Sequence, residues 1–151
     1  MRINELNEAE KISIVSEIAN VRGVPYNKNK TRHGEDIYKD DDGLYIYPLN
    51  DGFSGIIEDV IINPGDKDLI DRYGGEFGRY FSPENTPFEA RALPSTQNDL
   101  SIYHKYRVLK PLPAKMGTIA GWFEQPGGGI QYKTEKMVQD LLNEGYIEEI
   151  K

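Results

Sequence analysis

The chain contains no cysteine among its 151 residues, and this absence removes several classes of chemistry. Without a thiol there is no disulfide bond, no thiolate nucleophile and no cysteine-based zinc site. Histidine is almost as scarce, because His33 and His104 are the only two and lie far apart, without the spacing of metal ligands. The sequence therefore predicts a site that works without a bound metal.

Basic residues are also in short supply. The chain has 18 lysines and arginines against 25 aspartates and glutamates, which gives a formal net charge of -7 at pH 7. A nucleic-acid surface needs a basic patch to engage phosphates, so we expect no nucleic-acid partner, although a few arginines could still hold a small anion. No apolar run is long enough to cross a bilayer and the start does not resemble a signal peptide, so we expect no membrane anchor in this chain.

The first part of the chain is predicted to be a helical extension. Apolar residues recur at helical spacing over residues 4–21, Asn7 and Glu10 have the spacing of a capping box, and Gly23 with Pro25 should end the helix. The polar and charged stretch that follows, 26–43, is typical of an exposed linker. We therefore expect a helix and linker over residues 1–44 and a separate domain over residues 45–151.

From residue 45 onward the sequence is typical of short strands separated by turns. Strands are predicted over residues 45–48, 55–62, 103–109 and 146–150, with turns at Asn50-Asp51-Gly52 and Asn63-Pro64-Gly65.

One further helix is predicted near the end of the chain. Thr134 should cap it and Gly145 should end it, and its apolar face carries Met137, Val138, Leu141 and Leu142. Many strands and few helices predict an α+β fold, with a mainly antiparallel twisted sheet and an N-terminal helical extension.

The most distinctive segment reads WFEQPGGGIQY, from Trp122 to Tyr132. Pro126 followed by three glycines indicates a turn. Loops on rigid scaffolds often carry function, which makes Gln131, directly after this turn, a candidate site residue. A plain glycine-rich hairpin turn is the alternative, and the loop alone does not decide between the two.

A second candidate region is the segment DRYGGEFGRYFSPENTPFEARALP, in which arginines and aromatic residues lie among turn formers. Arg72, Arg79 and Arg91 carry planar guanidinium groups suited to phosphate or carboxylate. Tyr80 and Phe81 could stack on a ring. In a chain this acidic, each arginine could equally pair with a surface carboxylate.

His104 lies inside a predicted strand, in the sequence YHKY. A strand histidine that faces a cleft could bind a polar ligand or transfer protons, whereas a half-buried structural histidine is the alternative. Ser82 and Ser101 lack the context of a nucleophile elbow, which argues against a Ser/His/Asp set. The glycines of GGEFG do not form a GxGxxG motif, which argues against a dinucleotide-binding fingerprint.

Five segments occur in an order that resembles a known family: DRYGGEFGRYFSP, TPFEARALP, YHKYRVLKPLP, IAGWFEQPGGGIQY and GYIEE. They resemble the tuberculosis necrotizing toxin (TNT) family of NAD glycohydrolases, the C-terminal toxin domains of larger secreted bacterial proteins. The preceding YPLNDGFSG is also similar to that family, so the resemblance covers roughly residues 45–151.

The resemblance implies roles for the residues that match the family motifs. Arg72 matches the essential arginine, and Gln131 matches the glutamine most tied to activity. His104 matches the strand histidine, which would contact the ligand or support the site. Tyr80 matches the aromatic position beside the ligand, and Arg91 matches the arginine before the AL-P step.

The predicted catalytic set is Gln131, Arg72 and His104, and the predicted binding set is Tyr80, Phe81, Arg91 and Gly127. In this hypothesis the two arginines bind phosphate and an aromatic ring stacks on the ligand. Gln131 hydrogen-bonds the ribose or positions water, and the glycines leave room for it to reach in.

The activity implied by the resemblance is hydrolysis of NAD to nicotinamide and ADP-ribose, with NAD or NADP as substrate and no cofactor. It also implies a secreted toxin that acts in the cytoplasm of a target cell and has a cognate immunity protein. Transfer of ADP-ribose to a protein, a toxin nuclease and a non-catalytic binding domain remain as alternatives. The carboxylate that would steady the cation is open among Glu76, Glu84, Glu89 and Glu124.

Overall fold

The computed structural model describes residues 3–65 and 69–151. Within them, seven strands form one sheet in the order β1-β5-β6-β3-β2-β4-β7, and every neighbouring pair is antiparallel. The strands are β1 Phe53–Ile62, β2 Ile70–Tyr73, β3 Tyr80–Pro83, β4 Tyr103–Val108, β5 Leu112–Ile119, β6 Ile130–Lys133 and β7 Ile147–Ile150, and the helices are α1 Glu8–Arg22 and α2 Val138–Asn143. The predicted α+β fold with a mainly antiparallel sheet and an N-terminal helix is confirmed.

Helix α1 forms through the capping box that the sequence indicates. The Asn7 side chain accepts a hydrogen bond from the backbone N–H of Glu10 at 2.9 Å, and the Glu10 carboxylate accepts one from the backbone N–H of Asn7 at 3.2 Å. Gly23 ends the helix in the left-handed conformation, with φ of 70°. The helix starts later than predicted, because Ile3–Glu5 form a separate 3-10 turn. No helix in the described ranges is long and apolar enough to span a membrane.

The stretch over residues 26–43 is mostly exposed, as predicted, but two of its residues belong to a hydrophobic core. Ile37 and Tyr38 are almost completely buried. The Tyr38 ring packs edge-on against Trp122 and Phe123, with ring centroids 5.0 and 5.5 Å apart. Contacts with aromatic residues about 85 positions along the chain bury this short apolar pair, although its neighbours in sequence are polar. The boundary between residues 44 and 45 stays a prediction.

The predicted strand over residues 45–48 is also wrong. Only Tyr45 takes part in β pairing there, through an isolated bridge with Lys39. The rings of Tyr45 and Tyr47 pack edge-on against Phe123, with centroids 5.2 and 5.3 Å away. Packing around one buried ring therefore replaces a sheet ladder in this segment.

The core around Tyr38, Trp122 and Phe123 is the first core, and a second core lies between the sheet and α2, where Val138 and Leu141 are buried. The predicted cap of this helix is wrong, because Met137 occupies the N-cap position. The backbone N–H of Thr134 bonds the carbonyl of Arg79 at 2.9 Å, which extends the ladder between β3 and β6 beyond the strand ends. Thr134 therefore belongs to the end of the sheet.

Candidate functional site

A cleft of about 450 Å³ lies between the sheet, the end of α1 and the turn Asn50–Gly52. Its size is within the usual range for small-molecule sites. Five of the predicted site residues line it: Arg72, Tyr80, Phe81, Arg91 and Gln131. The structure therefore brings together residues from three strands and a loop that are far apart in sequence.

The glutamine on the cleft is held in one orientation by the neighbouring turn. Gln131 lies on β6, and its Nε2 donates a hydrogen bond to the backbone carbonyl of Asp51 at 2.9 Å. The amide orientation follows from that bond, because a carbonyl can only accept. The side-chain oxygen Oε1 is therefore the atom of Gln131 that is available to accept a bond from a ligand.

The turn that holds Gln131 is conformationally strained. Asn50, Asp51 and Gly52 have φ of 58°, 54° and 80°, so all three are left-handed. For a non-glycine residue this conformation costs on the order of 1–3 kcal/mol and persists only when the surroundings enforce it. The Lys133 ammonium contacts the Asp51 carboxylate at 2.8 Å, and the Tyr80 hydroxyl donates to it at 3.3 Å. These two contacts secure the turn above the sheet.

Electrostatics fix the charge states of this group. The hydrogen bond between Lys133 and Asp51 lowers the pKa of the carboxylate and raises the pKa of the ammonium. Burial raises the pKa of the Tyr80 hydroxyl, and the negative charge of Asp51 raises it further. At neutral pH the pair is therefore ionised, and Tyr80 keeps its proton.

Of the two aromatic candidates, only one presents its ring to the cleft. Tyr80 is 36% exposed, whereas Phe81 is 2% exposed and packs edge-on against Tyr106 in the second core. Phe81 therefore shapes the cleft from the core side, and a stacking role is open to Tyr80 alone of the two.

Arg72 enters the cleft with most of its guanidinium unpaired. Its Nη1 donates to the carbonyl of Tyr80 at 2.7 Å, and its Nε is buried without a hydrogen-bond partner in the described part of the chain. Burial lowers the pKa of the group, yet a guanidinium stays protonated at neutral pH. Two glycines make room for it, because a Cβ on Gly74 would lie 2.5 Å from Nη2 and a Cβ on Gly78 would overlap the guanidinium.

Arg91, by contrast, is fully engaged by the protein. Its Nη1 and Nη2 contact the two oxygens of Asp71 at 2.6 and 2.9 Å, and its Nε donates to the carbonyl of Thr86 at 3.0 Å. Tyr103 donates its hydroxyl to the same carboxylate at 2.7 Å, and burial, followed by this bond, raises the pKa of the tyrosine. Both side chains of the ion pair are almost inaccessible, at 5% and 0% exposure.

Two predicted site residues do not line the cleft. His104 lies on β4 opposite Arg72 in the sheet, and its Nδ1 is 3.1 Å from the carboxylate of Glu149. Gly127 donates its N–H to the carbonyl of Glu89 at 3.1 Å, and a Cβ there would lie 2.7 Å from the carbonyl oxygen of Ile119. Its φ of 68° and lack of a side chain therefore serve packing of the loop against β5.

Comparison with known proteins identifies the family of this chain. A family model described as tuberculosis necrotizing toxin matches residues 62–150, more than half of the chain. The chain belongs to this family.

Among known proteins, the conidial surface nicotinamide adenine dinucleotide glycohydrolase nadA of Aspergillus fumigatus is 37% identical to the chain over 117 residues. That match covers 70% of this chain and 49% of the relative, so the chain spans about half the length of this relative. The solved structure of tuberculosis necrotizing toxin complexed with its immunity factor IFT superposes with a TM-score of 0.58. It is 19% identical and covers 90% of this chain and 82% of that one, which shows a shared fold.

Three charged residues on the cleft of this family member were missed by sequence reasoning. Among the described residues, the carboxylates that line it are Asp51 and Asp71, and none of the four glutamates named from the sequence does. In the sequence, Asp51 is explained by the Asn-Asp-Gly turn, and Asp71 stands beside the candidate Arg72. Neither position by itself indicates a site residue. Arg22, the last residue of α1, also lines the cleft.

Proposed function

We propose that this chain is an NAD glycohydrolase that cleaves the bond between nicotinamide and ribose. The proposal rests on family membership and on the curated relative named as a nicotinamide adenine dinucleotide glycohydrolase. The single observation that carries it is that Gln131 and Arg72 line one cleft, since these are the two residues that the family resemblance ties most closely to activity.

The chemistry places modest demands on the protein. Nicotinamide in NAD is already cationic, so the electron pair of the C1′–N bond moves to the ring nitrogen and nicotinamide leaves as a neutral molecule. Water then adds to C1′ and releases a proton to solvent, which gives ADP-ribose. No strong general acid is needed, and the transition state has the oxocarbenium character of glycoside hydrolysis.

Gln131 supplies an acceptor where this positive charge develops. Its Nε2 is tied to the backbone of Asp51, so Oε1 is presented to the ribose hydroxyls or to the attacking water. A dipole that is oriented before the reaction stabilises developing charge without reorganising.

Asp51 is the better of the two cleft carboxylates for steadying the cation. Its side chain is 51% exposed, and it bonds one ammonium and one neutral hydroxyl. Asp71 is fully buried, and both its oxygens contact Arg91. The negative charge of Asp51 is therefore the more accessible to a ligand.

Arg72 holds phosphate in this proposal, and Tyr80 stacks on a ring of the substrate. A partly buried guanidinium that bonds one backbone carbonyl, and no carboxylate of the described residues, is suited to an anionic ligand. The face of an aromatic ring is suited to a planar base.

Incubation of the protein with NAD labelled in the adenylate part tests the activity. We expect equal amounts of nicotinamide and free ADP-ribose by chromatography, and parallel reactions with NADP measure the preference between the two substrates. Label found attached to protein would indicate ADP-ribosyl transfer instead of hydrolysis. NAD that is not consumed would contradict both activities.

We also propose that the chain is a secreted toxin domain that acts in the cytoplasm of a target cell. Family membership supports this, as does the fact that a relative of the same fold, tuberculosis necrotizing toxin, was solved in complex with its immunity factor. A domain that consumes NAD would harm the cell that makes it, so a cognate inhibitor is expected. Purification of the protein expressed with its neighbouring genes should yield a tight partner that abolishes NAD consumption, and active protein without a partner would argue against it.

A further inference from the structure

The cleft includes a residue from the segment that lies outside the family match. Arg22 ends α1 and lines the cleft together with Arg72 and Gln131. Its Nη2 donates to the backbone carbonyls of Tyr47 and Pro48 at 3.0 and 2.8 Å. Two bonds from one nitrogen fix where the guanidinium sits at the rim.

The rest of this guanidinium is not engaged by the protein. Its Nε and Nη1 have no hydrogen-bond partner in residues 3–65 and 69–151, and no carboxylate in those ranges forms an ion pair with it. After the hydrogen bond from Lys133, the positive charge of Arg22 is among the influences that lower the pKa of Asp51. The charge of Arg22 therefore acts inside the cleft.

Charge balance in the cleft leaves a local surplus of positive charge. Of the charged residues that line it, Asp71 is matched by Arg91, and Asp51 is matched by Lys133. Among the described residues, Arg22 and Arg72 remain without a carboxylate partner. Although the chain as a whole carries a net charge of -7, this cleft presents two unmatched cations to a ligand.

We propose that Arg22 is the second cation of a phosphate subsite, so that Arg72 from β2 and Arg22 from the end of α1 together hold the two phosphates of a dinucleotide. This inference rests on the proposed function and specifies how the same cleft recognises its substrate. It makes the N-terminal helix part of the substrate site. Arg22 acts in binding, so its loss weakens affinity and leaves the bond-breaking step unchanged.

The variant Arg22→Ala tests this with two probes that differ in phosphate. Calorimetry should show about tenfold weaker binding of ADP-ribose, and the KM for NAD should rise by a similar factor while kcat changes less than about twofold. Inhibition by nicotinamide, which has no phosphate, should be unchanged. Arg22→Lys keeps the charge and should recover part of the lost affinity.

Arg107→Ala is the matched control. It removes the same charge from an exposed arginine that pairs with Glu148 away from the cleft, and it should alter neither KM nor ADP-ribose binding. Equal weakening of ADP-ribose and nicotinamide in Arg22→Ala would give Arg22 a purely structural role and overturn the subsite.

The two proposals fail in different ways. If the native protein consumes NAD while Arg22→Ala shows unchanged KM and unchanged ADP-ribose binding, the subsite is wrong and the activity stands. If the native protein leaves NAD intact but ADP-ribose binding still depends on Arg22, the subsite stands and the activity is wrong.

Discussion

The buried floor of the cleft and its accessible wall use the same kinds of residue in opposite ways. On the floor, Arg91 and Asp71 form an ion pair whose side chains are 5% and 0% exposed, and Tyr103 donates its hydroxyl to Asp71. On the wall, Arg72 and Gln131 each make one bond to a backbone carbonyl and keep further polar atoms for a ligand. The number of protein partners, rather than residue type, distinguishes a group that stabilises the fold from one that is available for binding.

Two neighbouring residues of one short motif serve the two regions. Asp71 and Arg72 are adjacent on β2, but they do not pair with each other. Asp71 pairs with Arg91, and Arg72 reaches the backbone of Tyr80.

Removal of the floor arginine should have the largest effect on stability. Arg91→Ala leaves the Asp71 carboxylate buried without its cation, which should lower the free energy of unfolding by about 3–5 kcal/mol. Denaturant titration measures this. Arg107→Ala, which breaks an exposed pair, should cost about 1 kcal/mol or less. A stable Arg91→Ala protein with weakened NAD binding would instead assign Arg91 to the ligand.

Removal of the wall glutamine should act on catalysis and leave the fold intact. Gln131→Ala should lower kcat/KM for NAD by about 10²–10³-fold, the usual cost of losing one oriented group at a developing charge. Its melting temperature should match that of the native protein, because the lost side chain makes a single bond to the turn. Gln139→Ala, an exposed glutamine on α2, is the control for the same substitution. A melting temperature many degrees lower would make Gln131 a structural residue.

Local patterns in the sequence predict part of the fold and part of the site. The capping box of Asn7 follows from spacing alone, and Arg72 and Gln131 were found because each lies in a distinctive motif. The engagement of Arg91 depends on Asp71, twenty residues away, and no local pattern records that partner.

The same limit explains the buried residues of the N-terminal segment, which the sequence pattern did not predict. Tyr38 lies in a polar run, and its burial depends on Trp122 and Phe123 far along the chain. Arg22 looks like an ordinary basic residue at the end of a helix, and only the folded chain puts it at the cleft. Contacts between distant residues therefore determine what sequence patterns could not predict.

Activity should depend on the shape of the Arg72 side chain as well as on its charge. Arg72→Lys keeps the positive charge, but an ammonium cannot both bond the Tyr80 carbonyl and present a planar set of donors. We expect kcat/KM to fall by about 10²-fold, which corresponds to about 2.7 kcal/mol. Unchanged turnover in this variant would contradict a directional role for Arg72.

The importance of the space that Gly78 leaves for Arg72 can be tested without substituting the arginine. A methyl group on Gly78 would overlap the guanidinium, whereas one on Gly75 would meet no atom within 4 Å. Gly78→Ala should therefore displace Arg72 and lower kcat/KM by about tenfold, a change of about 1.4 kcal/mol. Gly75→Ala should keep native activity. Equal activity of both variants would show that Arg72 moves aside without loss.

The smallest effect is expected at His104, which lies opposite Arg72 on the neighbouring strand β4. His104 pairs with Glu149 and does not line the cleft, so we expect His104→Ala to retain kcat/KM within about twofold.

The pH dependence tests the same assignment. The hydrogen bond from Lys133 lowers the pKa of Asp51, so the support this carboxylate gives to the turn is lost only as pH falls below its ordinary range. Burial raises the pKa of Tyr80, which keeps its proton well into the alkaline range. The rate should therefore be flat between about pH 5 and pH 9. A rate that changes within this range in the native protein, and becomes flat in His104→Ala, would place His104 in the reaction and contradict its assignment outside the cleft.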